Sequence, residues 1–128
     1  MHEEQLKLIA EVGKKIGCSQ LMQMSPAEML EMECRFAVEL NGRLWFDEPL
    51  FAIHELLQKV KPWRDEGCRD SLRFCSMETE DNPLLCFVWM EQGWLLQSPW
   101  QRFPVQDAVI GHQTMVEAID VLLQSCLL

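Results

Sequence analysis

The stretch 30-LEMECRFAVELNGRLWF-46 decides the fold, because apolar and mostly polar residues alternate along its first eleven positions. Such a period of two is typical of a β-strand that buries one face. The residues expected on that buried face are Leu30, Met32, Cys34, Phe36, Val38 and Leu40. The opposite face is expected to carry Glu31, Glu33 and Glu39, with Arg35 between them.

A turn signal follows this strand at once. The dipeptide Asn41-Gly42 favours a type I′ turn, in which both central residues need positive φ. A hairpin over residues 30–46 is therefore predicted, with Val38 opposite Trp45. On that register Phe46 lies on the same face as Glu39, so the outer face of the hairpin is partly apolar. Either another element covers this face, or it is an exposed apolar surface that favours association.

Three helices are expected around the hairpin. Leu6, Ile9, Val12 and Ile16 follow helical spacing and predict an N-terminal helix. A middle helix over residues 48–60 has Asp47 as its N-cap and Pro62 as its end. A C-terminal helix over residues 115–126 begins with a Thr114–Glu117 capping box. Residues 18–29 fit either a short strand or a helical turn capped by Ser25, and residues 105–113 receive no assignment.

The second half of the chain carries three apolar runs separated by turn signals, which predict a meander over residues 72–98. Its middle run, Leu84–Met90, has no polar residue and is expected to be a central strand covered on both faces, with Trp89 in the core. Together with the hairpin, the meander predicts an antiparallel or mixed sheet of about five strands, packed with helices. The fold class is therefore α+β, in one domain over residues 1–128.

The charge balance restricts the classes of partner. The chain has 11 Lys and Arg against 20 Asp and Glu, a net charge of −9. Neither nucleic acid nor an anionic membrane is an expected partner, whereas a basic protein is. No apolar run approaches the length of a membrane span, and residues 1–15 do not resemble a secretory signal. We therefore expect a cytoplasmic location, with all six cysteines as reduced thiols.

Residue sets that carry catalysis or bind metals are not apparent in the sequence. His54-Glu55 lacks the second histidine of the HExxH zinc motif, and His54 is expected at the margin of the core. Cys68 lies in a polar, Arg-flanked loop and is interpreted as an ordinary loop thiol rather than a nucleophile. We therefore predict a protein that is not an enzyme, with no catalytic residue, no metal and no cofactor.

The sequence does contain candidate residues for binding a protein partner. Three carboxylates follow one another closely at the tip before Leu84, and two tryptophans that neighbour prolines, each near an arginine, have the best chance of exposure. The predicted protein-binding residues are Glu78, Glu80, Asp81, Glu31, Glu33, Trp63, Trp100 and Arg102.

Two stretches carry a resemblance to known proteins, 39-ELNGRLWFDEPLFAIHELL-57 and 72-LRFCSMETEDNPLLCFVWMEQGWLLQSPWQRF-103. Over about residues 38–103 the order of hairpin, helix, acidic strand end and Gly-Trp strand resembles small single-domain bacterial proteins of uncharacterised families. Such small acidic α+β domains also resemble immunity proteins of bacterial toxin systems, which bind and block a cognate toxin. The resemblance concerns structural residues and transfers no site residue.

The sequence thus predicts a non-enzymatic protein-binding domain, in its most concrete form an acidic immunity or inhibitor protein that occludes a basic bacterial toxin. One alternative is a structural or adaptor protein that forms a homodimer through the outer side of the first hairpin. A second alternative is a binder of small apolar ligands, with a pocket between sheet and helix lined by Trp and Met.

Overall fold

The structure is a computed structural model that describes residues 5–77, 79–81, 83–104 and 109–128. It confirms the α+β class, with two three-stranded antiparallel sheets and four helices among these residues. The single sheet of about five strands is wrong, because the hairpin and the meander belong to separate sheets. The elements are β1 (Leu6–Ala10), α1 (Cys18–Gln23), α2 (Pro26–Glu31), β2 (Cys34–Leu40), β3 (Arg43–Phe51), α3 (Ile53–Asp65), β4 (Leu72–Phe74), β5 (Leu85–Met90), β6 (Gly93–Gln97) and α4 (His112–Cys126).

The first sheet has the strand order β1-β2-β3 and contains the predicted hairpin. Asn41 and Gly42 have φ values of 53° and 80°, as the type I′ turn requires. The predicted pairing of Val38 with Trp45 is wrong, because a β-bulge shifts the register and brings Phe46 opposite Val38. The bulge thereby places Phe46 in the core, where it contacts the ring of Phe51.

β1 replaces the helix that we predicted at the N-terminus. Leu6 and Leu8 are buried while Lys7 between them is exposed, so the segment also satisfies a strand period. Pairing with β2 satisfies the backbone groups on one edge of this strand, and this long-range contact could not be anticipated from the apolar residues of the segment alone.

The segment before β2 is helical for longer than we predicted. Ser25 caps α2 through a complete capping box with Glu28, which confirms one of the two readings of this region. The helix continues to Glu31, so β2 begins only at Cys34 and Leu30 is exposed. The prediction that Glu31 and Glu33 share a strand face with Glu39 is therefore wrong.

The middle helix begins and ends later than expected. β3 continues through Pro49, which is tolerated because β3 is an edge strand. The helix α3 then extends beyond Pro62 to Asp65, so that proline lies inside the helix instead of ending it. Leu50, predicted on the buried stripe of this helix, lies on β3 and is exposed.

The second sheet confirms the meander, with strand order β4-β5-β6 and β5 in the centre. The expected cover on both faces of β5 is wrong at its end, because Trp89 and Met90 are each 44% exposed. The next strand, β6, is joined to the segment before α4, because Trp94 and Ile110 form an isolated bridge through two backbone hydrogen bonds of 2.7 and 2.8 Å.

The C-terminal helix α4 packs against β1, β6 and α3. It begins at His112 with Gly111 as N-cap, so the predicted capping box at Thr114 does not form. Arg64 on α3 and Asp120 on α4 join the two helices through hydrogen bonds of 2.7 and 3.1 Å.

Buried side chains from both sheets and from all four helices belong to one cluster. No helix in the described ranges is long and apolar enough to cross a bilayer.

Candidate functional site

An acidic cleft of about 250 Å³ lies between β3 of the first sheet and the segments that flank the strands of the second sheet. Glu33 precedes β2, and Glu48 and Leu50 belong to β3. The opposite wall comes from the segments around the second sheet. The lining residues are Glu33, Glu48, Leu50, Phe51, Ser76, Thr79, Leu84 and Trp100. We call this set the acidic cleft.

Trp100 fixes the relation between the two walls of the acidic cleft. Its ring stacks on Phe46 of the first sheet, with centroids 6.1 Å apart and an interplanar angle of 14°. Its indole Nε1 donates a hydrogen bond of 2.9 Å to Oδ2 of Asp81. Asp81 belongs to the acidic tip, our name for residues 78–81 in the connection between β4 and β5. The indole is only partly buried, so a part of its surface remains available for contact.

The segment that follows Trp100 is fastened to β3. The backbone N–H of Arg102 donates to the carbonyl oxygen of Trp45 at 2.8 Å. The guanidinium of Arg102 lies 3.6 Å from Asp47, which also accepts a 2.9 Å hydrogen bond from Arg35. That bond raises the pKa of the Arg35 guanidinium. This segment covers part of the hairpin, whose cover the sequence left open.

The acidic tip is anchored at its beginning by Glu55 of α3. Its carboxylate accepts a 2.8 Å hydrogen bond from the backbone N–H of Met77 and a longer one from the hydroxyl of Ser76. Met77 itself is 60% exposed, and Leu50 is 67% exposed. Two apolar side chains therefore stand in solvent beside carboxylates, an arrangement that is common at protein-binding surfaces.

The structure brings together about half of the predicted binding residues. Glu33 and Trp100 line the acidic cleft, and Asp81 joins them through its hydrogen bond to the indole. Glu80 is exposed beside Asp81, and Arg102 follows Trp100 closely. Glu78 lies outside the described residues.

Two predicted residues lie elsewhere. Glu31 is exposed at the end of α2 and does not line the acidic cleft. Trp63 is buried, because its side chain lies on the inner face of α3, packs on Phe87 and Trp94, and donates to the carbonyl oxygen of Asp70 at 2.6 Å. The expectation that Trp63 is exposed is therefore wrong.

Glu48 and Leu50 are site residues that the sequence analysis missed. Both were assigned to a helix, because Asp47 and Pro49 form a good helix start. The sequence contains no local signal that places them on a strand, and only the structure shows Glu48 opposite Phe36 of β2.

The isolated reactive groups do not form a second site. His54 is buried, neither of its ring nitrogens has a hydrogen-bond partner among the described residues, and burial lowers its pKa. Cys68 is buried as well, and burial raises the pKa of its thiol. Within the described ranges, no three His, Cys, Asp or Glu side chains lie close enough together to hold a metal ion.

Comparison with known proteins gives a family and no named relative. Neither the curated proteins nor the solved structures contain a match to the sequence. A family model described as a domain of unknown function (DUF7878) matches residues 14–126, which include every element from α1 to α4. The chain therefore belongs to the family of domains of unknown function described as DUF7878.

Proposed function

We propose that this chain is a non-enzymatic protein-binding domain that recognises a basic partner through the acidic cleft and Trp100. The observation that carries the proposal is the convergence of Glu33, Glu48 and the Trp100–Asp81 pair from distant parts of the chain onto one concave surface. The net charge of −9 supports it, because complementary charge speeds the encounter with a basic protein.

The state of the carboxylates favours recognition of cations. Glu33, Glu48 and Glu80 form no ion pair with any described residue. Their charges are therefore available to Lys or Arg side chains of a partner. Asp81, by contrast, is held by Trp100, so it contributes mainly to the position of the indole.

The apolar members of the surface supply the contact area. Trp100 is rigid because it is stacked on Phe46 and hydrogen-bonded at its nitrogen, so little conformational entropy is lost when it is buried by a partner. Leu50 is exposed and lines the same cleft as Trp100. A tryptophan surrounded by apolar and charged side chains is a common composition of an interface hot spot.

In its most specific form, the proposal describes an immunity or inhibitor protein that blocks the basic active site of a bacterial toxin by occlusion. The support for this form is the resemblance noted above together with the acidic surface. A homodimeric adaptor and a small-ligand binder stay as alternative predictions.

The test compares two charge reversals of equal size. The cleft variant Glu33→Lys/Glu48→Lys and the control variant Glu66→Lys/Glu91→Lys change the net charge by the same amount, and the control residues are exposed away from the cleft. The partner is first captured from cells of the source organism and identified by mass spectrometry. Its affinity for each variant is then measured by calorimetry at low and high salt.

We expect the cleft variant to lose at least tenfold in affinity, with a weaker salt dependence, while the control changes little beyond long-range screening. Equal losses in the two variants would mean that only net charge matters. Unchanged affinity of the cleft variant, or a partner without a basic surface, would refute the proposal.

A further inference from the structure

A second concave surface lies on another part of the molecule, between β1 and α4. It has a volume of about 530 Å³. One wall is formed by Gln5 and by residues 6–9 of β1, and the other by Thr114, Glu117, Ala118 and Val121 of the helix. We call it the β1–α4 groove. It shares no lining residue with the acidic cleft.

The hydrogen-bond ladder shows which backbone groups β1 presents to this groove. The carbonyl oxygen of Gln5 accepts from the backbone N–H of Asn41, and the N–H of Glu11 donates to the carbonyl oxygen of Arg35. In an antiparallel pair these groups alternate in direction from one residue to the next. The odd-numbered residues therefore bond to β2, and Leu6, Leu8 and Ala10 direct their N–H and C=O groups away from it.

Those outward groups have no partner in the part of the chain that the structure describes. β1 is at the edge of its sheet and pairs with β2 alone. The side chains of Leu6 and Leu8 belong to the core, although both residues line the groove. What they offer to the groove is therefore main chain, and an unpaired strand edge is a template for another strand.

The helix wall provides side-chain contacts. Residues 114, 117, 118 and 121 follow a spacing of three and four and thus form one face of α4. Val121 is an apolar side chain that is 58% exposed on this face, and the small side chain of Ala118, which is buried, lines the groove one turn before it. Glu117 adds an exposed carboxylate, in a chain whose overall charge is strongly negative.

We propose that the β1–α4 groove binds an extended peptide segment of a partner protein, which adds to the free edge of β1 as a fourth strand. The length of β1, about 17 Å for its five residues, suits a peptide of about five residues. Main-chain hydrogen bonds to Leu6 and Leu8 supply affinity, as in other cases of strand addition. Alternate apolar side chains of the peptide contact Val121 and Ala118, and a basic side chain pairs with Glu117.

The first experiment finds a peptide and maps its binding. Random ten-residue peptides displayed on phage are selected on the full chain, and the selected sequences are synthesised and titrated into labelled protein. In NMR spectra we expect slowed hydrogen exchange at the amides of Leu6 and Leu8, and little change at Lys7 and Ile9, whose amides already bond to β2. Failure to select any peptide, or shifts confined to another surface, would overturn the proposal.

The second experiment tests whether the peptide binds as a strand. Each amide of the synthetic peptide is methylated in turn, which removes one hydrogen-bond donor. Strand addition predicts losses of at least tenfold at every second position and small effects at the positions between them. A uniform response, or no response, would show that main-chain pairing is not the mode of binding.

Variants of α4 complete the test. Val121→Arg places a long cationic side chain in the groove at an exposed position, so folding should be unaffected and affinity should fall at least tenfold. Gln124→Arg is the matched control on the same helix, outside the groove. If Val121→Arg instead abolishes self-association of the protein in sizing experiments and leaves peptide affinity unchanged, the occupant is a second copy and the peptide proposal is wrong.

Discussion

Replacing Gly93 by alanine should destabilise the second sheet, because residue 93 has no room for a side chain. Gly93 follows the turn between β5 and β6 with a φ of 155° and is buried. A Cβ at this position would overlap the carbonyl oxygen of Ile110 and lie 2.7 Å from Cγ1 of Val109. The Ile110 backbone would have to move, and it is the partner of Trp94 in two hydrogen bonds.

The magnitude follows from these contacts. Two backbone hydrogen bonds contribute about 0.5–1.5 kcal/mol each, so their loss costs about 1–3 kcal/mol. An unfavourable φ at a residue with a Cβ adds about 1–3 kcal/mol. We therefore expect Gly93→Ala to lower the free energy of unfolding by about 2–6 kcal/mol, a large share of the 5–15 kcal/mol that is typical of a domain.

Urea unfolding followed by circular dichroism measures this change. Gly13→Ala is the matched control, since a Cβ at Gly13 meets no atom within 4 Å and its φ is not positive. The control should alter stability by less than about 1 kcal/mol. If Gly93→Ala unfolds at the same urea concentration as the wild type, the reasoning from the Ile110 contact fails.

Three further predictions concern buried or paired groups. Burial lowers the pKa of His54 in the folded state, so the folded protein disfavours protonation of this side chain. The contribution of His54 to the free energy of unfolding is therefore fully present above the unfolded pKa of about 6.5 and is lost as the pH falls below it, by at most about 1.4 kcal/mol per pH unit. His54→Leu should remove this part of the dependence of stability on pH, as measured by urea unfolding at several pH values, and an unchanged dependence would contradict the prediction. Burial raises the pKa of the Cys126 thiol to about 12, so iodoacetamide should label exposed Cys18 in the native protein but label Cys126 only after unfolding, as mass spectrometry of peptides can show. The Arg64–Asp120 pair is partly exposed, so a double-mutant cycle with Arg64→Met and Asp120→Asn should give a coupling of about 0.3–1 kcal/mol, and a value near zero would mean that solvent screens it fully.

The elements that the sequence predicted correctly are those with strong local signals. The Asn41-Gly42 turn needs two residues with positive φ and therefore identifies the hairpin from the dipeptide alone. The meander and the C-terminal helix also follow from local periodicity and turn residues. In each case the pattern fits one type of element much better than the other.

The errors in the fold arise where a pattern fits two structures. Residues 6–16 satisfy a helical stripe, while the shorter run Leu6–Ala10 satisfies a strand, and only pairing with β2 decides between them. Asp47 and Pro49 are typical of a helix start, yet an edge strand also accepts a proline. Which strands share a sheet depends on long-range packing, for which the sequence contains no local signal.

The site was predictable only in part for a similar reason. Trp63 and Trp100 have equivalent surroundings in the sequence, each beside a proline and close to an arginine. Their burial differs because Trp63 lies on the inner face of α3, whereas Trp100 follows the last strand of its sheet. Glu48 could be assigned to the acidic cleft only after the length of β3 was known.

The contact between α4 and β1 has a consequence for the order of folding. Each sheet is built from one continuous part of the chain, residues 6–51 for the first and 72–97 for the second, and the β2–β3 and β5–β6 hairpins close through turns of two residues. α4 and β1 are about a hundred residues apart, and a contact across such a separation is slow to form relative to local ones. We therefore expect both sheets to assemble before α4 docks, so the β1–α4 groove exists only in molecules that have completed the last step of folding.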